Sequence, residues 1–261
     1  GFSELKDELL IFKSRRIWSL TGFGTTTLTL TNLGETTTGF GTIARQSVVN
    51  TGNEVLYLSF QGDVPHFRKL KRTQYSDTLV DGGTISEMIE TTMGGINKAA
   101  LDKCAGIFDG RKVWFAVADG VSTTNNKVLV YDTFTKGWVY HTGIRASCFE
   151  IFSIGSSAQH FFGEATADAK AYVFDTSTSY NGTAIDFSVS TRRYGQDYPE
   201  SEKKWMYLYI SPEFTGDFDL QIDYSVDGFD FDPLETINLA QPGSVLDTMI
   251  LDESRLGRTS V

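Results

Sequence analysis

Cysteine is nearly absent. The 261-residue chain has two, Cys104 and Cys148. Two thiols make no disulfide framework, which excludes a small stapled scaffold. Both lie in apolar, strand-like surroundings, and the expectation is that both are free and buried. Histidine is scarce too: His66, His141 and His160 stand at no metal-ligand spacing with cysteine or with each other. No run approaches the roughly 18 apolar residues that a membrane helix needs. Positive charge is in deficit. Thirty-three acidic residues against 23 basic ones leave a formal charge of −10. That balance argues against a general nucleic-acid binder, which needs a basic face for phosphate contacts. The densest basic stretch, His66-Phe67-Arg68-Lys69-Leu70-Lys71-Arg72, reads as a solvated turn or an interface patch. Proline, at five, is too rare to break up extended structure. The opening residues lack an initiator Met and the basic and apolar regions of a signal peptide. The expectation is a chain that begins inside a larger polypeptide.

Aromatic residues and glycine are plentiful, with 19 Phe, 11 Tyr and 25 Gly. At 40% hydrophobic and 21% charged, the chain has the composition of a folded globular protein. The apolar residues fall in short runs bounded by Gly, Asn, Asp and Thr, which is the strand-and-turn pattern. Such runs include Leu9-Leu10-Ile11-Phe12, Val55-Leu56-Tyr57-Leu58, Val113-Trp114-Phe115-Ala116-Val117 and Val128-Leu129-Val130-Tyr131. Thr25 to Thr31 reads as an exposed strand or a long loop. One stretch, Thr84 to Asp102, reads as helix. Thr84 or Ser86 would cap it, and Met88, Ile89, Met93 and Ile96 supply an approximate helical spacing. Gly94-Gly95 interrupts that spacing, which predicts a short helix and a loop.

A weak repeat runs through these strands. Val130-Tyr131-Asp132-Thr133 and Val173-Phe174-Asp175-Thr176 match, with their aspartates 43 residues apart. Strands around Val113 and His160 are 47 apart, and those around Leu10 and Leu56 are 46 apart. The step from Leu56 to Val113 is longer, at 57, and holds the predicted helix. A period of roughly 40–50 residues with about four strands is β-propeller spacing. A plain sandwich of hairpins is the competing architecture. The predicted fold class is therefore all-β: a β-propeller, partial or complete, with a C-terminal β-sandwich-like unit. Residues 1–183 would form the blades, with the helical insertion near 84–102. Residues 184–240 would form an antiparallel unit, and 241–261 a tail or arm.

The order of these motifs resembles a known family. Leu9 to Leu20 comes first, then Gly41 to Asn50 and Val55 to Gly62. Val128 to Asp132 with Gly137-Trp138 follows, and the series ends on Lys204 to Ile210 and Ile222 to Gly228. It is similar to the β-propeller tail proteins of bacteriophages, above all the tail tubular protein B or nozzle family of short-tailed phages. The resemblance implies a virion structural protein, assembled in the host cytoplasm, whose subunits associate into a ring around the DNA exit channel. Neighbouring tail or adaptor proteins would be its partners. Viral DNA would pass through the channel without specific binding, because an acidic wall repels the backbone. A carbohydrate- or protein-binding propeller, such as a receptor-binding tail component, is the alternative, and a propeller glycosidase a further one.

Chemistry-bearing motifs are few. The chain has no Gly-x-Ser-x-Gly elbow, no phosphate loop and no Gly-x-Gly-x-x-Gly after a strand. The acidic residues offer no carboxylate pair that stands out for glycoside hydrolysis. No catalytic residue and no cofactor is expected. One metal candidate exists: Asp223, Asp227, Asp230 and Asp232, alternating carboxylates around Gly228 that can offer hard oxygens to calcium. Their order is not that of an EF-hand, and Asp227-Gly228 reads more simply as a hairpin turn. Trp18, Trp114, Trp138 and Trp205 sit inside apolar runs and are expected in blade packing rather than sugar stacking.

Overall fold

Each apolar run becomes a strand, and consecutive strands pair with their neighbours. The computed structural model describes residues 1–22, 27–33, 41–60, 62–72, 79–154, 157–166, 170–174, 179–180, 183–184, 186–190, 207–208, 219–225, 230–238 and 259–260. The chain divides into two compact units, Gly1–Ile185 and Asp186–Val261.

The first unit holds four antiparallel sheets arranged as a four-bladed β-propeller. Blade 1 comprises β1 (Phe2–Leu5), β2 (Glu8–Phe12), β3 (Ile17–Thr21) and β4 (Thr29–Asn32). Blade 2 comprises β5 (Val49–Asn50), β6 (Glu54–Phe60), β7 (Pro65–Arg72) and β8 (Leu79–Thr84). Blade 3 comprises β9 (Ala105–Phe108), β10 (Lys112–Val117), β11 (Lys127–Asp132) and β12 (Trp138–Thr142). Blade 4 has β13 (Ala146–Ile154), β14 (Ser157–Glu164) and β15 (Ala171–Val173). Every blade is a meander in chain order. The first strands β1, β5, β9 and β13 are neighbours in that succession, so they form the inner row. A short pair, β16 (Ser179–Tyr180) with β17 (Thr183–Ala184), completes this unit.

Strand alternation decides which side chains meet which blade. On β6, Val55 and Tyr57 face Leu10, Phe12 and Ile17 of blade 1. Leu56 and Leu58 point the other way, to Val113, Phe115 and Leu129 of blade 3. On blade 3, Ala116, Val128 and Val130 face Phe162 of blade 4, with Phe149 and Phe174 packed alongside. Both faces of blades 2 and 3 are thus covered, which explains why their strands read as unbroken apolar runs rather than as an alternation.

The predicted helix is shorter than its spacing suggests. The segment forms a 3-10 turn, Glu87–Ile89, a single α-helical turn, α1 (Glu90–Gly94), and a second 3-10 stretch, Lys98–Lys103. Thr84 ends β8 and caps nothing. Ser86 stands at the start of the first turn, but its hydroxyl accepts the amide hydrogen of Phe67 at 3.1 Å instead. Met88 is 83% exposed, whereas Met93, Ile96 and Leu101 are buried between blades 2 and 3. The insertion is therefore a plug for that interface, and it accounts for the longer 57-residue step.

Two further expectations change. The basic stretch from His66 lies on strand β7, not on a turn, and its cations are largely paired. Lys69 meets Glu54 at 3.6 Å, Arg72 meets Glu8 of blade 1 at 2.5 Å, and Arg68 donates to the Thr84 hydroxyl at 3.1 Å. The cysteines also differ from each other: Cys104 is buried, while Cys148 is exposed on β13.

In the second unit, β19 (Asp219–Tyr224) and β20 (Asp232–Asn238) form a hairpin. A short pair joins β18 (Tyr207–Leu208) to β21 (Thr259–Ser260). Residues 186–190 have no regular structure. No helix among the described residues is long and apolar enough to cross a membrane.

Candidate functional site at the head of the inner strands

Segments that lead into the inner strands converge at one end of blades 2, 3 and 4. Arg45 and Gln46 come from a 3-10 turn, Arg45–Ser47, just before β5. Asp102 and Lys103 end the insertion just before β9. Thr124 and Asn125 lie in the loop between β10 and β11, and Ser147 and Cys148 open β13. Together with Ala165 they line an open cavity of about 570 Å³.

Asn125 holds the floor of this cavity. It is 1% exposed, and its amide nitrogen donates to the carbonyl of Lys103 at 2.8 Å and of Ala146 at 2.7 Å. One side chain thus ties the end of the insertion to the start of blade 4. The Lys103 ammonium reaches across to the Thr123 carbonyl at 2.6 Å. The Ser147 hydroxyl donates to the carbonyl of Gly163 at 3.0 Å. Two cations, Arg45 and Lys103, and one carboxylate, Asp102, surround the opening. The lining offers hydrogen bonds and charge to a polar partner. Among the described residues it brings no histidine to the Cys148 thiol, and none of those lining it pairs a nucleophile with a base. Sequence reasoning passed over these residues because loop Arg, Asn and Ser carry no spacing signal.

Two shifted titratable groups within the blade unit, Cys104 and Asp109, have structural surroundings. Burial pushes the Cys104 thiol far up from its ordinary value. Burial also acts to raise Asp109. The indole N–H of Trp114, at 2.8 Å, and the amides of Lys112 and Arg111 outweigh it and hold the carboxyl below its ordinary value. The face of Trp114 stacks on His141 at 5.6 Å. Trp138 sits against Tyr131 and Phe67 and donates to the Ile85 carbonyl at 2.9 Å, which fixes it between blades 2 and 3. Trp114 and Trp138 are thus packing residues, as expected. Trp18 lies half-buried on the outward side of blade 1, and Trp205 falls outside the described residues.

The calcium candidate is only partly described. Asp223 ends the first half of the hairpin and accepts from the Gln221 side chain at 2.9 Å. Its cross-strand partner is Pro233, and the next pair is Tyr224 with Asp232. Asp223 and Asp232 therefore project from opposite faces of the ribbon. Asp230 precedes β20, and Asp227 with Gly228 lies outside the described residues. Among the described residues, no three His, Cys, Asp or Glu side chains gather to hold a metal ion. No protein-family model matches the chain, and no curated protein matches it either.

Proposed function

We propose that this protein is a structural component of a short-tailed phage tail, of the nozzle type, and that it works by assembly. The observation that carries the reading is the run of four antiparallel blades in chain order, built from the motifs whose order resembles the nozzle family. The formal charge of −10 supports it, since a ring around DNA must let an anionic polymer slide without sticking. In this reading the subunits associate into a ring below the portal, contact neighbouring tail or adaptor proteins, and act in the virion. Negative-stain imaging of the purified protein tests it. The expected result is a cyclic ring with an axial opening wide enough for duplex DNA. Single particles of one subunit with no ring would overturn it.

The polar cavity ringed by Arg45, Lys103 and Asn125 favours a second reading, a propeller that binds a carbohydrate or protein partner at that end. Binding on a glycan array that Arg45→Ala abolishes would favour this reading over the first.

A further inference from the structure

We propose that the outward face of blade 1 docks on the outward face of blade 4 of a second copy of this chain, head to tail. The inference rests on the assembly reading above and names the surface that assembly would use.

The argument begins in the sequence. Leu9-Leu10-Ile11-Phe12 on β2 and Ile17-Trp18-Ser19-Leu20 on β3 are apolar at nearly every position. That is the pattern of strands covered on both faces. Blades 2 and 3 carry the same pattern and are covered on both faces by their neighbours. Among the described residues, blade 1 is covered on one. Leu5, Leu10, Phe12 and Ile17 are buried against blade 2. By the cross-strand register, Phe2, Leu9, Ile11, Trp18, Leu20 and Leu30 share the opposite face. There Phe2 is 70% exposed, Leu9 39% and Leu30 55%. Leu9, Leu20 and Leu28 also border an open depression of about 400 Å³, which Glu4, Lys6, Asp7 and Glu8 line on its charged side. Exposed apolar side chains grouped on one sheet face, here with Glu4 and Asn32 among them, mark an interaction site.

Blade 4 presents the complementary end. Phe162, Phe149 and Tyr172 face blade 3. The alternate positions Phe152, Phe161 and Val173 face away, with Glu150 and Gln159 beside them. Phe152 is 55% exposed and meets Phe161 edge-on at 5.5 Å. Each contact along the chain, blade 1 to 2, 2 to 3 and 3 to 4, joins the forward face of one blade to the rear face of the next. Among the described residues no buried cluster joins blade 4 back to blade 1, which leaves the two end faces over from that series. Continuing it between copies joins blade 4 of one to blade 1 of the next. Such a heterologous contact closes into a ring when the rotation permits.

Light scattering on the eluting full chain, with Leu30→Asp and Phe152→Asp variants, tests the proposal. Wild type is expected at an integer multiple of 28.9 kDa, and each variant at 28.9 kDa. An equimolar mixture of the two variants retains one intact pair of faces and is expected to form a one-to-one dimer and nothing larger. That dimer also shows that both variants are folded. If wild type assembles and both variants keep its mass, the face assignment falls while the assembly reading stands. If both variants dissociate and the mixture stays monomeric, head-to-tail docking falls. A monomeric wild type removes both.

Discussion

At the end of β11, Asp132 holds a turn with one oxygen and an arginine with the other. Its Oδ1 accepts the amide hydrogens of Phe134 at 2.8 Å and Thr135 at 3.0 Å. Its Oδ2 meets the Arg111 guanidinium at 2.8 Å and 2.9 Å. The turn it caps carries Lys136 at a φ of 60°, a left-handed conformation that an L side chain rarely adopts. The Thr135 amide is the largest cause, with Arg111 and the Phe134 amide, that the carboxyl is held down to about 2 from an ordinary 3.8. A carboxyl lowered on folding stabilises the protein fully above its unfolded value and loses that effect as pH falls through the folded one. Thermal midpoints measured from pH 7 to pH 2 are therefore expected to fall between about 4 and 2, and more shallowly in Asp132→Asn. Identical slopes would show that this carboxylate adds nothing. The aspartate is legible in the sequence as the aromatic-Asp repeat, because a side chain that bonds amides two and three positions later is a local device. Cys148 was not legible. Ala146, Phe149 and Ile151 around it are apolar, but β13 turns it to the outward face of blade 4, and the near-alternating pattern of that strand does not say which side is covered.

The interface between blades 2 and 3 concentrates the aromatic packing of the elements. Phe67 of β7 and Phe115 of β10 stack at 4.1 Å between ring centres, and both are fully buried. Gly106 on β9 lets this contact form, since a Cβ there would lie 2.7 Å from the Phe115 ring and 2.8 Å from the Val49 methyl. Phe115→Ala removes a ring that three elements close on, and the site cannot collapse. The expected loss is about 3–5 kcal/mol, read as a lower urea midpoint. A change below about 1 kcal/mol would place the weight of this interface elsewhere. The sequence named β10 as a strand and the insertion as partly helical. It did not show that the insertion is a plug, because Met93, Ile96 and Leu101 meet their partners only once two sheets stand side by side. The same holds for the basic strip on β7: Glu8 and Glu54, which neutralise Arg72 and Lys69, belong to strands whose register no local pattern reports.

At the scale of the whole molecule, net charge bears on the proposed function. A protein with a charge of −10, in whose basic strand Lys69 and Arg72 are paired with carboxylates, has little with which to hold a phosphate backbone. Linear duplex DNA is expected to migrate unretarded beside this protein in a gel-shift experiment at about 0.15 M salt, an ionic strength at which exposed charges are already screened beyond ~8 Å. Retardation at that salt would sink the sliding-channel reading. The end faces of the blade series expose Phe2, Leu9 and Leu30 on blade 1 and Phe152 on blade 4, and polar side chains dominate the lining of the cavity at the head of the inner strands.

The chain by itself determined its strands, its turn residues and the 46- and 47-residue steps between second strands, since each is a local or periodic property of backbone and side chain. Only the tertiary structure decided which face of each strand is covered, which cations are paired and which loops meet over Asn125. The physical reason is the same in all three cases. When a strand is apolar on both sides, alternation carries no direction, and partners more than a blade apart in sequence are selected by packing rather than by anything written beside them.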